Sequence, residues 1–307
     1  MKTILVPIDF TAAAEPTLAY ANKLAVRWPA EIVLVYSQAG PELAYEEREA
    51  LKGRLETLAE RLRYRELVRQ DARRIRYSYE VVSGCLHDQV QALVARYGAD
   101  LVVMGLEHTD CGKPATNGDN AVRITELVPC PVLVVPPGRR SLPTRMVYAT
   151  DFGRLPLPTL PRLSALAGAL PGTLELVQMY SPQQRGNLTY LKRAVAASKA
   201  QLAWPTITTK MVEDDDPIEG ISDYCARAQA QLLILTPSSE SELIRFFDKC
   251  YALTQAYHLQ IPVLVLGQPA QQASTVCCER CAKELHNKSV EQLLVEASIT
   301  KRPTTLT

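Results

Sequence analysis

Short apolar runs separated by segments of helical periodicity fill most of the 307-residue chain. The runs are about five to seven residues long and rich in Val, Ile and Leu. They mostly do not alternate with polar residues, which is typical of strands buried on both faces of a parallel sheet. Between two of these runs, leucines share one helix face at Leu51, Leu55, Leu58 and Leu62. Strands that alternate with helices predict βαβ units with right-handed crossovers.

The apolar runs occur twice along the chain in the same order. Two of the repeated runs end in Asp-Phe followed by a small residue, and two others keep a Pro directly before the strand. Four ordered matches indicate a tandem duplication. The pairs are Lys2–Thr11 with Arg145–Gly153, Glu31–Ser37 with Thr173–Ser181, Ala99–Gly105 with Ala230–Thr236, and Cys130–Val135 with Ile261–Leu266.

The duplication predicts how the chain is divided. We expect one domain over residues 1–137, a linker rich in Pro and Gly over 138–143, and a second domain over 144–267. Beyond Gly267 the apolar strands stop, and residues 268–307 form a polar tail that contains cysteines. Each domain is long enough to bury its own core.

Charge and hydropathy exclude several classes of protein. Lys and Arg number 34 against 33 Asp and Glu, for a net charge of +1, and the hydrophobic fraction of 47% is too high for a disordered chain. Acidic residues accompany the arginines between Arg48 and Arg76, so we interpret this stretch as an ion-paired helix face and expect no nucleic-acid partner. Pro7 and Asp9 interrupt the first apolar run, and no run is long enough for a membrane helix. We expect a cytoplasmic protein without a membrane partner.

The first half carries an ordered set of marks, which are Ile4–Asp9, Gly84 before a helix, Ala99–Gly105 and Cys130–Val135. This set, largely present again in the second half, resembles the universal stress protein family. The resemblance implies two tandem flavodoxin-like (Rossmann-like) domains, each a five-stranded parallel sheet with helices on both faces. It also implies that the two domains pack as an internal pseudo-dimer, with ligands at the carboxyl ends of the strands. Besides its own second domain, the expected partners are a second copy of the chain and an unidentified protein.

Many members of that family bind ATP through Gly-x2-Gly-x9-Gly-Ser/Thr after the fourth strand, so the resemblance implies a phosphate loop in the first half. Gly105 fits the first position and Gly118 the third. His108 stands at the second glycine and Asp119 replaces the hydroxyl residue. Asp9 matches the family's nucleotide-facing acid. The motif is therefore degenerate, although ATP remains a candidate cofactor of the first domain.

Two interpretations of this loop remain open. In one, Asp119 is the N-cap of a helix that begins near Asn120, and triphosphate no longer binds, because two like charges a few ångström apart repel by about 1 kcal/mol even in bulk water. In the other, His108 and Lys113 offset Asp119, or a magnesium ion bridges it, and some nucleotide still binds. The second half is more degenerate, since Thr236–Glu240 replaces the first glycine and its neighbours. We place no nucleotide there.

Cysteines fall into two groups. Five are scattered singly, and without an export signal we expect reduced, inert thiols: Cys85, Cys111, Cys130, Cys225 and Cys250. The tail carries Cys278 and Cys281 at the two-residue spacing of a zinc knuckle, with His286 as a possible third ligand. Three interpretations of the tail remain open: a flexible segment with exposed thiols, a zinc site, or a redox-sensing pair formed by Cys278 and Cys281.

These observations favour a non-enzymatic stress-response binding or regulatory protein of the universal stress type. One alternative is an ATP-binding member that uses the first domain at Asp9, Gly105 and Gly118, with at most slow hydrolysis. Another is a metal- or redox-responsive module that uses the tail. No ordered Ser, His and Asp constellation of a hydrolase stands out in the sequence.

Overall fold

The structure is a computed structural model that describes residues 1–68, 71, 74–113, 118–156, 159–237, 240–247 and 257–267. In the first half, strands and helices alternate as predicted from the apolar runs. The elements are β1 Lys2–Pro7, α1 Ala14–Arg27, β2 Ala30–Gln38, α2 Tyr45–Glu66, β3 Arg76–Ser83, α3 Leu86–Tyr97, β4 Leu101–Gly105, α4 Asp119–Leu127 and β5 Val132–Val135.

The second half repeats this order, mostly with shorter elements. Short 3₁₀ turns follow β6 and β7 and precede β10. The elements are β6 Arg145–Ala149, α5 Thr159–Ala165, β7 Thr173–Tyr180, α6 Leu188–Gln201, β8 Ile207–Glu213, α7 Pro217–Ala228, β9 Leu232–Leu235, α8 Glu240–Phe247 and β10 Val263–Val265.

All of these strands belong to one ten-stranded sheet in the order β3-β2-β1-β4-β5-β10-β9-β6-β7-β8. Within each half the strands are parallel, and the order reverses direction between β1 and β4 and again between β6 and β9. The halves join where β5 and β10 pair antiparallel, with Leu133 opposite Leu264. The predicted tandem Rossmann-like fold is confirmed, and the two five-stranded sheets are continuous.

Successive residues of each strand pack into two separate core layers, one on each face of the sheet. In β1, Ile4 and Val6 pack into the layer that contains α1 and α2, whereas Leu5 packs into the layer on the opposite face. The predicted helix face is confirmed, since Leu55 and Leu62 are fully buried in α2. Helices therefore cover both faces of the sheet, which leaves the carboxyl ends of the strands as the edge where loops meet. Among the described helices, none has both the length and the apolarity needed to cross a membrane.

Candidate functional site

The carboxyl end of β1 meets the segment after β4 (residues 106–113) at Asp9. Asp9 Oδ2 accepts a hydrogen bond of 2.7 Å from the backbone N–H of Thr109. Its Oδ1 accepts from the backbone N–H of Thr11 at 2.9 Å and from the Thr11 hydroxyl at 2.7 Å. The family resemblance implies that Asp9 faces a nucleotide. In the structure, both of its carboxylate oxygens accept hydrogen bonds from the protein's own loops.

The charge on Asp9 is stabilised by these contacts. Burial by itself would raise the pKa of the Asp9 carboxyl, but the hydrogen bonds from Thr109 and Thr11, with the nearby His108 ring, bring the pKa below its ordinary value. The His108 Nδ1 atom lies 3.8 Å from Asp9 Oδ2. Asp9 is therefore ionised at neutral pH and holds the segment after β4 against the end of β1.

His108 lies inside the fold with only 4% of its surface exposed. Burial lowers the pKa of its imidazole, and this effect outweighs the opposite influence of Asp9 and Asp110. The ring is consequently neutral at pH 7, and its Nε2 has no hydrogen-bond partner among the described residues. A neutral His108 does not supply the positive charge that would offset Asp119 in the nucleotide-binding interpretation.

Asn120 fixes the backbone of the same segment. Its Nδ2 donates a 2.8 Å hydrogen bond to the carbonyl oxygen of His108. Gly105 packs closely against α1, because a Cβ atom there would lie 3.1 Å from Thr17 Oγ1. At Gly118, a Cβ would come within 3.2 Å of Phe247 in the second half. Asp9, His108 and Asn120 therefore converge, while the two glycines serve as close packing positions.

The N-cap of α4 is one residue earlier than the sequence interpretation places it. Gly118, with a φ of 70°, is the N-cap, and α4 begins at Asp119 itself. Asp119 therefore does not cap the helix; its Oδ1 accepts from the backbone N–H of Asn120 at 2.9 Å. An acid in the first helical turn is still favourable, because it interacts with the positive end of the helix dipole.

A disulfide between Cys85 and Cys111 joins the start of α3 to the segment after β4, and their Cα atoms are 5.0 Å apart. The expectation of free thiols is wrong for this pair, since the fold brings together two residues separated by 26 positions. Cys111 and Gly112 both have positive φ, 51° and 69°. The backbone pairs Asp110 with Lys113 across this tight turn.

Cys130 and Cys225 are free and buried, as expected for inert thiols. Burial raises the pKa of the Cys130 thiol to about 11 and that of Cys225 to about 12. Neither thiol therefore forms a thiolate at neutral pH. The prediction for Cys250 lies outside the described residues, as do the zinc and redox predictions for Cys278, Cys281 and His286.

Asp110, which sequence reasoning missed, is the N-terminal anchor of α3. Its Oδ1 accepts from the backbone N–H of Leu86 at 2.7 Å, and its Oδ2 lies 2.6 Å from His87 Nδ1 and 3.2 Å from the His87 backbone N. Burial alone would raise the pKa of Asp110, but these hydrogen bonds lower it. The sequence signal available for this contact was two short motifs, Cys85-Leu-His87 and Asp110-Cys111. Each is unremarkable alone.

Acidification from about pH 7 to about pH 5 is expected to destabilise the protein through His108 and His258. Burial lowers the pKa of both rings, so below about pH 6.5 the unfolded chain takes up protons that the folded chain does not. The free energy of unfolding should fall by up to about 1.4 kcal/mol per pH unit for each histidine. Urea unfolding at several pH values measures this slope.

The matched variants are His108→Gln, His258→Gln and the double substitution. Each single variant should remove about half of the histidine-dependent slope, and the double variant should remove all of it. Equal slopes in the wild type and in His108→Gln would show that folding does not change the pKa of His108.

The second half holds an open pocket of about 190 Å³ at the carboxyl ends of β6, β7 and β9. This is the point where the strand order reverses, at which doubly wound sheets bind ligands. Sequence motifs point to the first half and give no sign of this pocket. The residues that line this second-half pocket are Ala149, Thr150, Asp151, Gln178, Met179, Gln184, Pro217, Ile218, Ile221, Leu235, Thr236, Pro237, Glu242, Leu243 and Phe246.

The second-half pocket has few polar groups, and its charged groups are all negative. Asp151 and Glu242 are acidic, and the described residues of its lining include no Lys, Arg or His. The Gln178 amide is committed to the backbone, with Oε1 accepting from Phe152 N–H at 2.9 Å and Nε2 donating to Met179 O at 2.7 Å. The N–H of Ile218, at the start of α7, is already capped by Asp216.

Comparison with known proteins agrees with the fold. The model of the universal stress protein family matches residues 1–136. The chain carries a universal stress protein domain. The second half repeats the strand order of this domain, as the tandem resemblance implied. No curated protein matches the sequence.

Solved structures resemble nearly the whole described chain. A universal stress protein from Archaeoglobus fulgidus is 14% identical with a TM-score of 0.56, and the match covers 87% of this chain and 98% of that one. A putative universal stress protein from Pseudomonas aeruginosa is 16% identical with a TM-score of 0.54, covering 88% and 94%. The cytoplasmic domain of a prokaryotic cation chloride cotransporter is 11% identical with a TM-score of 0.52, covering 88% and 97%. At these identities the likeness shows the fold alone.

Proposed function

We propose that this protein is a non-enzymatic ligand-binding regulator of the universal stress type in which the first half no longer holds triphosphate. Three contacts support a closed first-half loop. Both carboxylate oxygens of Asp9 already accept hydrogen bonds, one from Thr11 and the other from Thr109. His108 is buried and neutral where the ATP motif requires glycine. The Cys85–Cys111 disulfide ties the loop to α3.

The ligand of this proposal binds in the second-half pocket, and the pocket's chemistry is the observation that carries the proposal. Its floor is apolar, built by side chains such as Ile218, Leu235 and Phe246. Apolar concave sites with a few polar groups are the usual form of small-molecule sites. The pocket therefore suits a compact compound with an apolar ring or chain.

Charge narrows the class of ligand further. Each phosphate charge about 4 Å from Asp151 or Glu242 would cost about 1 kcal/mol at the dielectric of water and about 4 kcal/mol at a partly buried surface. The described lining of the second-half pocket contains no cation, and Arg154, whose Nε lies 3.6 Å from Asp151 Oδ2, is 86% exposed and offsets only part of this cost. The proposed ligand is accordingly uncharged or cationic.

Calorimetric titration of the full chain with MgATP and with adenosine tests the proposal. The two compounds share the base and the sugar and differ in phosphate, so the comparison isolates the effect of negative charge. We expect adenosine to bind at least tenfold more tightly than MgATP, since one repulsive contact of about 1.4 kcal/mol accounts for a factor of ten. Tighter binding of MgATP at micromolar concentration would contradict the proposal and favour the ATP-binding alternative.

Asp151→Asn locates the binding site. The asparagine keeps an oxygen that can accept the 3.0 Å hydrogen bond from Gly153 N–H, but it removes a charge at the pocket. We expect the preference for adenosine over MgATP to shrink by about fivefold. Asp215→Asn is the matched control, because Asp215 is an exposed acid outside the pocket lining. Equal effects of the two substitutions would place the ligand elsewhere.

A further inference from the structure

Two groups of metal-ligating atoms meet at Cys85, outside the second-half pocket. Cys85, His87 and Asp88 each offer one ligand atom, and the three atoms lie within 4.8 Å of one another. Cys85, Asp110 and Cys111 form a second group by the same measure. Cys85 belongs to both groups and links them at the start of α3, but Cys111 is not grouped with His87 and Asp88, so it has to shift toward them once the disulfide opens.

The interatomic distances show which residues of this cluster can bind a metal ion and which residue orients the His87 ring. His87 Nε2 lies 3.4 Å from Asp88 Oδ1, which is about the spacing of two ligand atoms on a tetrahedral ion with bonds of about 2.1 Å. His87 Nδ1 lies only 2.6 Å from Asp110 Oδ2, which is a hydrogen-bond distance and too short for two ligands of one ion. Asp110 therefore fixes the ring through Nδ1 and leaves Nε2, on the side of Asp88, as the nitrogen that can reach a metal ion.

We propose that the reduced form of this chain binds one zinc ion through Cys85 Sγ, His87 Nε2, Asp88 Oδ1 and Cys111 Sγ. Two thiolates, one imidazole and one carboxylate are a donor set that suits zinc rather than magnesium or calcium. Asp110 is a positioning residue, as in the carboxylate–histidine pairs that support zinc sites. The site goes beyond the proposed function and shares no residue with the second-half pocket.

Disulfide and zinc exclude each other at this site, because a disulfide sulfur carries no thiolate charge. An external dithiol reduces the Cys85–Cys111 bond by transferring two electrons and two protons, which yields two protein thiols and the disulfide of the reductant. Zinc then displaces the two thiol protons to the solvent as both sulfurs bind it. A low-molecular-weight disulfide accepts two electrons from the two thiolates and leaves as two thiolates of its own, while the Cys85–Cys111 bond reforms and the ion is released.

The local structure permits this exchange. Cys85 and Cys111 are both partly exposed, and the side chain of Asp88 is 63% exposed, so a reductant and an ion can reach them. The two sulfurs must separate from about 2 Å in a disulfide to about 3.8 Å on zinc. Cys111 lies in the tight turn between Asp110 and Lys113, where the chain changes direction without a helix or strand to disturb.

Cobalt titration of the full chain tests the proposal, since Co²⁺ bound by thiolates in a tetrahedral site gives a near-ultraviolet charge-transfer band and intense visible bands. All samples carry Cys277→Ser, Cys278→Ser and Cys281→Ser so that the tail contributes no thiolate. We expect the reduced protein to bind one Co²⁺ with these bands and to release it to one equivalent of Zn²⁺. The oxidised protein should show neither band.

Variants assign the ligands. Cys85→Ser, Cys111→Ser and His87→Ala should each remove the tetrahedral spectrum. Asp110→Asn should weaken the metal affinity by about 10- to 100-fold, as loss of a supporting carboxylate does elsewhere, and asparagine still caps a helix well. Cys130→Ala is the matched control, because Cys130 is buried away from this cluster, and it should leave the spectrum unchanged.

A reduced protein that gives no thiolate band, or whose band survives Cys85→Ser and His87→Ala, overturns the proposal. If Cys111→Ser does not fold, His87→Ala and Asp110→Asn still decide the matter, since neither removes a cysteine. An unchanged affinity in Asp110→Asn overturns the positioning role of Asp110.

Discussion

Replacement of Gly172 by alanine is expected to lower the free energy of unfolding by at least about 3 kcal/mol. Gly172 has a φ of 120°, which residues with a Cβ rarely adopt, and a Cβ there would lie 2.2 Å from the carbonyl oxygen of Thr144. The contact is with backbone, so no side-chain rotation relieves it. Urea unfolding of the wild type and Gly172→Ala measures the loss.

Two hydrogen bonds prevent the backbone at Gly172 from moving aside. The N–H of Thr173 donates to Thr144 O at 2.9 Å, which starts the pairing of β6 with β7. The carbonyl oxygen of Gly172 accepts from the indole Nε1 of the buried Trp204 at 3.1 Å. Relief of the clash would break one of these bonds. Because β6 and β7 also form one wall of the second-half pocket, ligand binding should weaken together with stability.

Gly186→Ala is the matched control for this prediction. Gly186 has no positive φ, and a Cβ there would meet no other atom of the described chain within 4 Å. Alanine should therefore be neutral or should stabilise by about 0.4–1 kcal/mol through the unfolded chain. A loss at Gly172 no larger than the change at Gly186 would show that the β6–β7 junction tolerates rearrangement.

The sheet and its helices were predictable because buried apolar runs have few alternatives in water. Leu55 and Leu62 lie on the buried face of α2, as their spacing indicated. The repeated run Cys130–Val135 became β5, whose position beside β10 follows from no local pattern. Hydrophobic periodicity thus predicts which residues are buried, but it does not specify which edge strands pair.

The first-half site was predicted only in part, because its geometry depends on contacts between distant loops. The motif drew attention to Asp9 and His108, and in the structure His108 Nδ1 lies 3.8 Å from Asp9 Oδ2. The roles of Asp110 and Cys111 depend on Cys85, Leu86 and His87 at the start of α3, which lie 23 to 26 residues earlier and contact them only after folding. The short motifs at the two ends of this contact are each too common to indicate it.

The second-half pocket escaped prediction for a different reason. A search for phosphate-binding glycines finds sites at which backbone amides hold charge, whereas this pocket is built from side chains of several elements. Leu235 ends β9, Ile218 lies in the first turn of α7 and Phe246 belongs to α8. Each of these residues is unremarkable in its own segment, and only the fold collects them around one volume.

Reduction of the Cys85–Cys111 disulfide in the presence of a metal chelator is expected to lower the free energy of unfolding by about 3 kcal/mol. The bond closes a loop with a sequence separation of 26 residues, which contains α3 and β4. For a loop of that length the restriction of the unfolded chain corresponds to roughly 3 to 4 kcal/mol. Urea unfolding with and without a phosphine reductant measures the difference.

Cys85→Ser with Cys111→Ser separates this disulfide from all other effects of the reductant. The double variant should be about as stable as the reduced wild type, and the reductant should not change its stability. An equal response of the variant and the wild type would assign the effect to other cysteines.

The chelator is needed because zinc bound to the reduced cluster would also hold the start of α3 against the segment after β4. A ligand that binds only the folded state stabilises it by an amount that grows with its concentration relative to Kd, about 2.7 kcal/mol at 100-fold excess. Zinc added without chelator should therefore restore most of the stability lost on reduction, and it should do so in the wild type but not in the double serine variant. Recovery in both proteins would mean that the ion stabilises the fold at another position. Recovery in the wild type alone requires that Cys85 and Cys111 hold the ion.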